Sequence, residues 1–282
     1  MRVSFLKMHG CGNDYLYVDG LSGRAPTPQA AAQAAPRLCA RHTGVGADGI
    51  ILLLPCKGAD ARMRMFNADG SEGKMCGNGI RCVGKFLYDY GLVDGRTEIT
   101  VETLSGIKHL TLYPENGQVT RVRVDMGQAI LTPAEIPCTL PQQAGAPLTV
   151  RGTTYAATAV GMGNPHCVLF QQDDVDGLDL EQIGPDFENH PAFPERVNTE
   201  FINVLGDHEL KMRVWERGSG ETWACGTGAC AAAVAAVLNG HCPKDSDILV
   251  HLRGGDLTIR YTDAAVWMTG PAVTVFEGTV EA

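Results

Sequence analysis

The sequence predicts an α+β protein made of two pseudo-symmetric halves. Each half is expected to be a mostly antiparallel sheet wrapped around a central helix, with the active site in the cleft between them. Three observations carry this expectation. The chain has 282 residues, which suits one large domain or two of ordinary size. A long segment repeats itself without a gap. Short strand-like runs outnumber helical ones.

The repeat comes first because it organises the rest. Arg62–Cys76, RMRMFNADGSEGKMC, aligns with Lys211–Cys225, KMRVWERGSGETWAC, at a constant offset of 149 residues. The register continues through Cys76-Gly77-Asn78-Gly79 and Cys225-Gly226-Thr227-Gly228 to Gly91 and Gly240, and then to Gly106 and Gly255. Gly12-Asn13 resembles Gly163-Asn164 at a slightly different offset, 151. Gap-free agreement over so long a span reads as duplication. The halves are placed at 1–122, with 271–282 returning to it, and at 123–270.

Within the first half, strands are expected at Phe5–Met8, Tyr15–Val18, Ile50–Leu54, Arg62–Phe66, Ile99–Glu102, Leu110–Tyr113 and Arg121–Asp125. An alanine-rich helix is expected over Thr27–Ala40, with Thr27 as N-cap and Pro28 at the first helical position. Helices Gly79–Tyr90 and Gly228–Leu238 follow the two CG-x-G turns. Loop signals cluster at 132–147 and 184–198.

Composition narrows the function. Apolar residues make up 44% and charged residues 20%, as in a folded globular protein. The net charge is −9 and there is no Lys/Arg run, so a nucleic-acid surface is not expected. No apolar stretch approaches the roughly 20 residues of a membrane span. The first residues lack the features of a signal peptide, so a cytoplasmic location is expected. Ten cysteines without any C-x-x-C argue against a disulfide framework or a zinc site, and no metal is expected. Reduced thiols remain, most of them core packing.

Cys76 and Cys225 are the exceptions. A cysteine followed by Gly-x-Gly and a helix sits at the helix N-terminus. There, free N–H groups bind anions and the positive helix end favours a thiolate. One such turn alone reads more readily as a glycine-rich helix start with a buried cysteine. Two, at equivalent places in facing halves, suit proton removal from one face of a carbon and return to the other. Two helix N-termini would stabilise the charge that develops beside a carboxylate. A pyridoxal phosphate enzyme would need a Schiff-base lysine in a recognisable setting, and none is apparent; no cofactor is expected.

Six motifs carry a resemblance: MHGCGNDY (8–15), RHTGVGADG (41–49), FNADGSEGKMCGNGIRC (66–82), GNPHCV (163–168), RVNTEFINV (196–204) and WERGSGETWACGTGACA (215–231). In these the chain resembles the diaminopimelate epimerases, cofactor-independent enzymes that convert LL- to meso-diaminopimelate. The resemblance implies Cys225 as proton acceptor from the LL substrate and Cys76 as proton donor. It implies that Gly77, Asn78, Gly226 and Thr227 hold the reacting carboxylate. Glu216 would lie near the reacting amino group and Arg217 on the distal carboxylate. Asn13, Asn67, Asn164 and Asn198 would recognise the distal amino-acid end. His166 and Glu216 would set the thiol pKa values. A homodimer acting on a small molecule is also implied.

Two departures stand out. Gly49 occupies a position where some members carry a substrate-contacting glutamine. Phe276 replaces a tyrosine of the family's dimer contact. The nearest alternative is an isomerase of the proline racemase or hydroxyproline epimerase type, which tends to carry histidine where Asn78 stands and does not need Arg217. A non-catalytic binding protein would not need both cysteines, and a thiol redox protein would be expected to carry a C-x-x-C.

Overall fold

The computed structural model describes residues 2–23 and 25–281. It divides into two compact units, Met1–Val124 with Gly270–Ala282, and Asp125–Thr269.

The first unit begins with β1 (Arg2–Gly10), β2 (Asn13–Asp19), α1 (Pro28–Leu38), β3 (Gly49–Leu54) and β4 (Ala61–Asn67). The short β5 (Glu72–Gly73) leads into α2 (Gly77–Asp89), and β6 (Glu98–Thr103), β7 (Gly106–Glu115) and β8 (Gln118–Asp125) follow. Pairing is antiparallel throughout except for β2–β3 and β4–β6, which run parallel. Each parallel pair needs a crossover, and α1 and α2 lie in those two connections. Between β7 and β8, Asn116 and Gly117 have φ of 53° and 83°, as a two-residue type I′ hairpin turn demands.

The second unit repeats this order. It contains β9 (Ala146–Val150), β10 (Thr153–Gly161), β11 (Pro165–Phe170), α3 (Leu180–Glu188), β12 (Asn198–Gly206) and β13 (Glu209–Glu216). Then come β14 (Gly220–Thr222), α4 (Gly226–Leu238), β15 (Asp247–Leu252), β16 (Gly255–Tyr261) and β17 (Val266–Pro271). The parallel pairs are β11–β12 and β13–β15, at the places equivalent to those in the first unit. The last strand, β18 (Val273–Glu281), returns to pair antiparallel with β1, as β9 pairs with β10. The architecture is thus α+β with mixed, mostly antiparallel sheet.

α4 is apolar on all sides and is buried from Gly228 to Ala236. That pattern marks a helix enclosed by its own unit. α2 is buried from Gly77 to Leu87 but carries two buried cations, Arg81 and Lys85. Lys85 is satisfied by Asp89 at 2.6 Å and the Val119 carbonyl at 2.8 Å. The other faces of the sheets are closed by α1 and α3. In the first unit Ala31, Ala35 and Leu38 pack on Val3, Leu16, Val18 and Ile50. In the second, Leu180 and Phe187 pack with Leu169, Phe193 and Phe201, and Phe187 meets Phe201 edge-on at 5.3 Å.

Four sequence expectations change. The segment 184–198, read as loop, begins inside α3. The nine-residue helix runs through Pro185, which has no N–H to donate to the preceding turn. Gly184 is required there, because a Cβ would lie 2.2 Å from Trp215 Cδ2. The helices expected from Gly79 and Gly228 begin two residues earlier, at Gly77 and Gly226, because Cys76 and Cys225 are themselves the N-caps. α1 ends at Leu38 rather than Ala40, with Thr27 and Pro28 in the expected capping roles. In 132–147 a 3-10 turn covers Pro133–Glu135, and β9 starts at Ala146.

Candidate active site

In the first unit the site is built around the start of α2. Cys76 has an extended backbone, φ −132° and ψ 120°, and its sulfur accepts the Gly79 N–H at 3.3 Å. The sulfur therefore caps the positive end of a buried helix. Its thiol faces Asn13 Oδ1 at 3.2 Å. Asn13 opens β2 after a tight turn in which Cys11 and Gly12 both have positive φ. Its amide nitrogen donates to Asp48 Oδ2 at 2.7 Å, and the Asp14 N–H donates to the same oxygen. Arg41 bridges Asp14 and Asp48 at 2.8 and 2.7 Å.

Burial raises the Cys76 thiol, and four groups oppose it: the Gly79 N–H, the Tyr15 hydroxyl, the Asn78 N–H and the Arg81 guanidinium. Arg81 is wholly buried. It donates to the Pro271 carbonyl at 3.1 Å and the Gly77 carbonyl at 3.2 Å, and its Nη2 lies 3.6 Å from Cys11 Sγ. Gly10 must lack a side chain for this, since a Cβ would stand 2.7 Å from Arg81 Nη2. Asn78 is buried beside Cys76. Asn67 closes β4 opposite Gly49, with its amide on Ser71 Oγ at 3.0 Å. It makes no direct hydrogen bond to Cys76. Gly49 has no room for a side chain, because a Cβ would meet the Phe66 carbonyl oxygen at 2.2 Å.

In the second unit Cys225 caps α4 in the same way, with φ −113° and ψ 110° and the Gly228 N–H at 3.3 Å from sulfur. Thr227 Oγ1 lies 3.5 Å from the sulfur and 3.5 Å from the Asn164 amide nitrogen. Asn164 Oδ1 faces His166 Nε2 at 2.9 Å, and His166 Nδ1 faces Glu200 Oε1 at 2.7 Å. Burial pushes the Cys225 thiol well above its ordinary value, and the Glu216 and Glu200 carboxylates add to the rise. Glu216 is raised as well, by burial, against the opposing effects of Thr222, His166 and Cys225.

Arg217 turns away from these groups, with its guanidinium on the Glu195 carbonyl at 2.9 Å. The turn that carries it is fixed from two sides. Asn198 Oδ1 accepts the Arg217 N–H at 2.9 Å, while Asn198 Nδ2 donates to the Pro165 carbonyl. Glu188, from α3, accepts the Trp215 indole N–H at 2.8 Å and the Gly218 N–H at 2.9 Å.

The structure thus gathers Cys76, Gly77, Asn78 and Asn13 in one unit, where the Asn67 amide is bonded to Ser71. In the other it gathers Cys225, Gly226, Thr227, Glu216, His166 and Asn164, with Asn198 and Arg217 joined through the backbone. Sequence reasoning missed Tyr15, Asp48, Arg81, Glu188 and Glu200. All but Glu188 lie inside the motifs quoted above, and that position was the available signal.

Glu216 gives a prediction with a definite sign. Its folded pKa is raised, so the fold holds the neutral acid better than the unfolded chain does. The resulting stability is present below the unfolded glutamate pKa and is lost as pH rises through the folded value. Glu216→Gln is therefore expected to melt higher than the native protein near neutral pH, with the difference shrinking on acidification, while losing activity. Thermal melts at neutral pH and near pH 4 check this; a lower melting temperature for the variant at neutral pH would contradict it.

Comparison with known proteins identifies the relatives of this chain. The diaminopimelate epimerase family profile matches residues 5–132 and 158–275. The diaminopimelate epimerase of Agathobacter rectalis is 51% identical over 290 residues, covering 99% of both chains. That of Pelotomaculum thermopropionicum is 52% identical over 279 residues, covering 98% of both. Among solved structures, a hydroxyproline epimerase of Agrobacterium vitis with bound trans-4-hydroxy-L-proline superposes with a TM-score of 0.69 at 18% identity, covering 99% of this chain and 91% of its own. A Bacillus anthracis protein of a phenazine biosynthesis family superposes at 0.66 with 16% identity and covers 100% of both chains. The structural likenesses speak for the fold.

Proposed function

The chain belongs to the diaminopimelate epimerase family, and from that premise we propose that its two capping cysteines invert the α-carbon of LL-2,6-diaminopimelate to give the meso form. The protein is an isomerase. In this reading Cys225 accepts the α-proton and Cys76 delivers one to the opposite face, and no cofactor takes part. One observation carries the reading: each unit places a cysteine at the N-cap of a buried glycine-led helix, with its sulfur on a backbone N–H at 3.3 Å.

The division of roles has local support. Asn13 presents a carbonyl oxygen to Cys76, which suits a sulfur that holds a proton to give. Cys225 stands beside Glu216, and the substrate's α-ammonium arriving there would offset the carboxylate that now raises the thiol. The N–H groups of residues 77–78 and 226–227 would then bind the α-carboxylate and stabilise its developing negative charge. Asn13, Asn67, Asn164 and Asn198 would read the distal amino-acid end, His166 and Glu216 would tune the thiols, and Arg217 would swing from Glu195 to the distal carboxylate. The halves 1–122 with 271–282 and 123–270 would each contribute one cysteine.

The product would serve lysine and peptidoglycan precursor synthesis in the cytoplasm. The ten free thiols, all on described residues, fit a reducing compartment, and among the described residues no helix is long and apolar enough to cross a membrane. A homodimer is proposed through β18, where Val275 and Phe276 are about half exposed on a strand paired only along its β1 side among the described residues.

The test offers LL-diaminopimelate, L-proline and trans-4-hydroxy-L-proline in deuterated water. Exchange and inversion are expected with the first alone; exchange of proline with none for diaminopimelate would overturn the substrate. Arg217→Met is expected to cost about 10- to 100-fold in kcat/KM, mostly in KM, the value of a charge-assisted hydrogen bond.

A further inference from the structure

We propose that Glu200 is a positioning residue that holds His166 as a doubly protonated imidazolium and so orients the Asn164–Thr227 pair toward Cys225. The proposal rests on the reading of Cys225 as a catalytic thiol, and the sequence motifs did not single Glu200 out.

The pseudo-symmetry shows that packing does not require a carboxylate here. In the first unit Tyr15 pairs with Gly49, and in the second His166 pairs with Asn198. Two residues further along, Ile51 in the first unit therefore corresponds to Glu200 in the second. Both are wholly buried, and both lie against the third residue of the central helix. A Cβ on Gly79 would meet Ile51 Cδ1 at 2.8 Å, and a Cβ on Gly228 would meet Glu200 Oε1 at 2.7 Å. An isoleucine fills the place in one unit; a glutamate fills it in the other.

A wholly buried carboxylate is costly unless a positive charge or several donors face it. Glu200 Oε1 has His166 Nδ1 at 2.7 Å, and Oε2 has no hydrogen-bond partner among the described residues. The other ionisable groups around the pair are Glu216 on β13, Cys225 at the α4 cap and Cys167 on β11, none of them cationic. His166 is the group able to supply the charge. Its other nitrogen, Nε2, faces the Asn164 carbonyl oxygen at 2.9 Å. An imidazole flanked by two oxygen acceptors donates from both nitrogens.

The consequence reaches the sulfur. With Nε2–H donating, the Asn164 carbonyl is held on the ring and its NH2 group is turned to Thr227 Oγ1, which neighbours Cys225 Sγ. With a neutral ring bearing its proton on Nδ1, Asn164 would turn over and present its carbonyl to Thr227. Glu200 thereby decides whether donors or acceptors line the approach to Cys225. A His166 held as a cation also takes no part as an acid or base in the cycle; it is a fixed charge.

The experiment is nitrogen NMR of histidine-labelled full-length protein without substrate, with His166→Gln to assign the ring. At about pH 8, where a free imidazole is neutral, both His166 nitrogens are expected to show imidazolium shifts. Glu200→Gln is expected to convert them to a neutral-tautomer pattern, to lower kcat roughly 10- to 100-fold with a smaller change in KM, and to alter the pH profile of kcat. Glu200→Asp should recover part of both. A neutral His166 in the native protein overturns the proposal whether or not the variants fold. An imidazolium signal and pH profile unchanged in Glu200→Gln also overturns it. Because the spectrum is read without substrate, it can fail while epimerisation through Cys225 stands, and the reverse.

Discussion

Cys76→Ala and Cys225→Ala are each expected to lower epimerisation of LL-diaminopimelate by about 10²- to 10⁴-fold, the range for loss of a positioned acid or base. On the proposed roles neither cysteine could replace the other, because each would serve one face of the α-carbon. The variants should still fold. Each cysteine side chain contributes one N-cap hydrogen bond, from Gly79 or Gly228, and losing such a cap costs about 1 kcal/mol. Partial reactions should separate the two roles. Cys76→Ala keeps the acceptor for the LL substrate and should exchange its α-hydrogen slowly without inverting it. Cys225→Ala should fail at that exchange but retain exchange at the D-configured centre of the meso isomer, where Cys76 would be the acceptor. Substantial epimerisation by either variant would end the two-base scheme.

Arg81→Met is expected to cost about 3 kcal/mol of stability and lower Tm by roughly 6–12 °C. The side chain is wholly buried, and its donors satisfy the Pro271 and Gly77 carbonyls. Methionine fills much of the volume and supplies no donor, so the Pro271 carbonyl, which leads into β18, loses its partner. The second effect is on reactivity. Arg81 is among the groups that hold the Cys76 thiol down against burial. Its removal should move the pH dependence of Cys76 alkylation upward and leave that of Cys225 in place, because the repeat puts Cys230 where Arg81 stands. A native-like Tm with an unmoved alkylation profile would show that the buried guanidinium does neither.

Much of this was legible in the sequence because it is local. The capping cysteines, the glycines after them and the two central helices lie within a few residues of one another, and the repeat doubles the signal. What was missed is of two kinds. α3 was hidden by Gly184 and Pro185, residues that punctuate loops, although its counterpart α1 lies in the same place between a parallel strand pair. Placing the repeat in register before assigning loops would have exposed it. The partners behind the cysteines were hidden by distance along the chain. Asp48 reaches Asn13 across 35 residues, and Glu200 reaches His166 across 34. Glu200 sits in a strand motif where periodicity predicts only that the position is buried, and burial alone does not predict a carboxylate.

Under the proposed two-base reading, the pseudo-symmetry would account for there being two cysteines, and departures from it for their unequal roles. Tyr15, Ile51 and Arg81 stand in the first unit where the repeat places His166, Glu200 and Cys230 in the second. The most direct test of two bases on opposite faces is early-time isotope analysis of LL-diaminopimelate epimerised in deuterated water. The account predicts that the first meso product carries solvent deuterium at the inverted carbon while recovered LL substrate still carries protium there. Meso product that keeps the substrate's own hydrogen, or deuterium entering recovered LL substrate as fast as product forms, would contradict it.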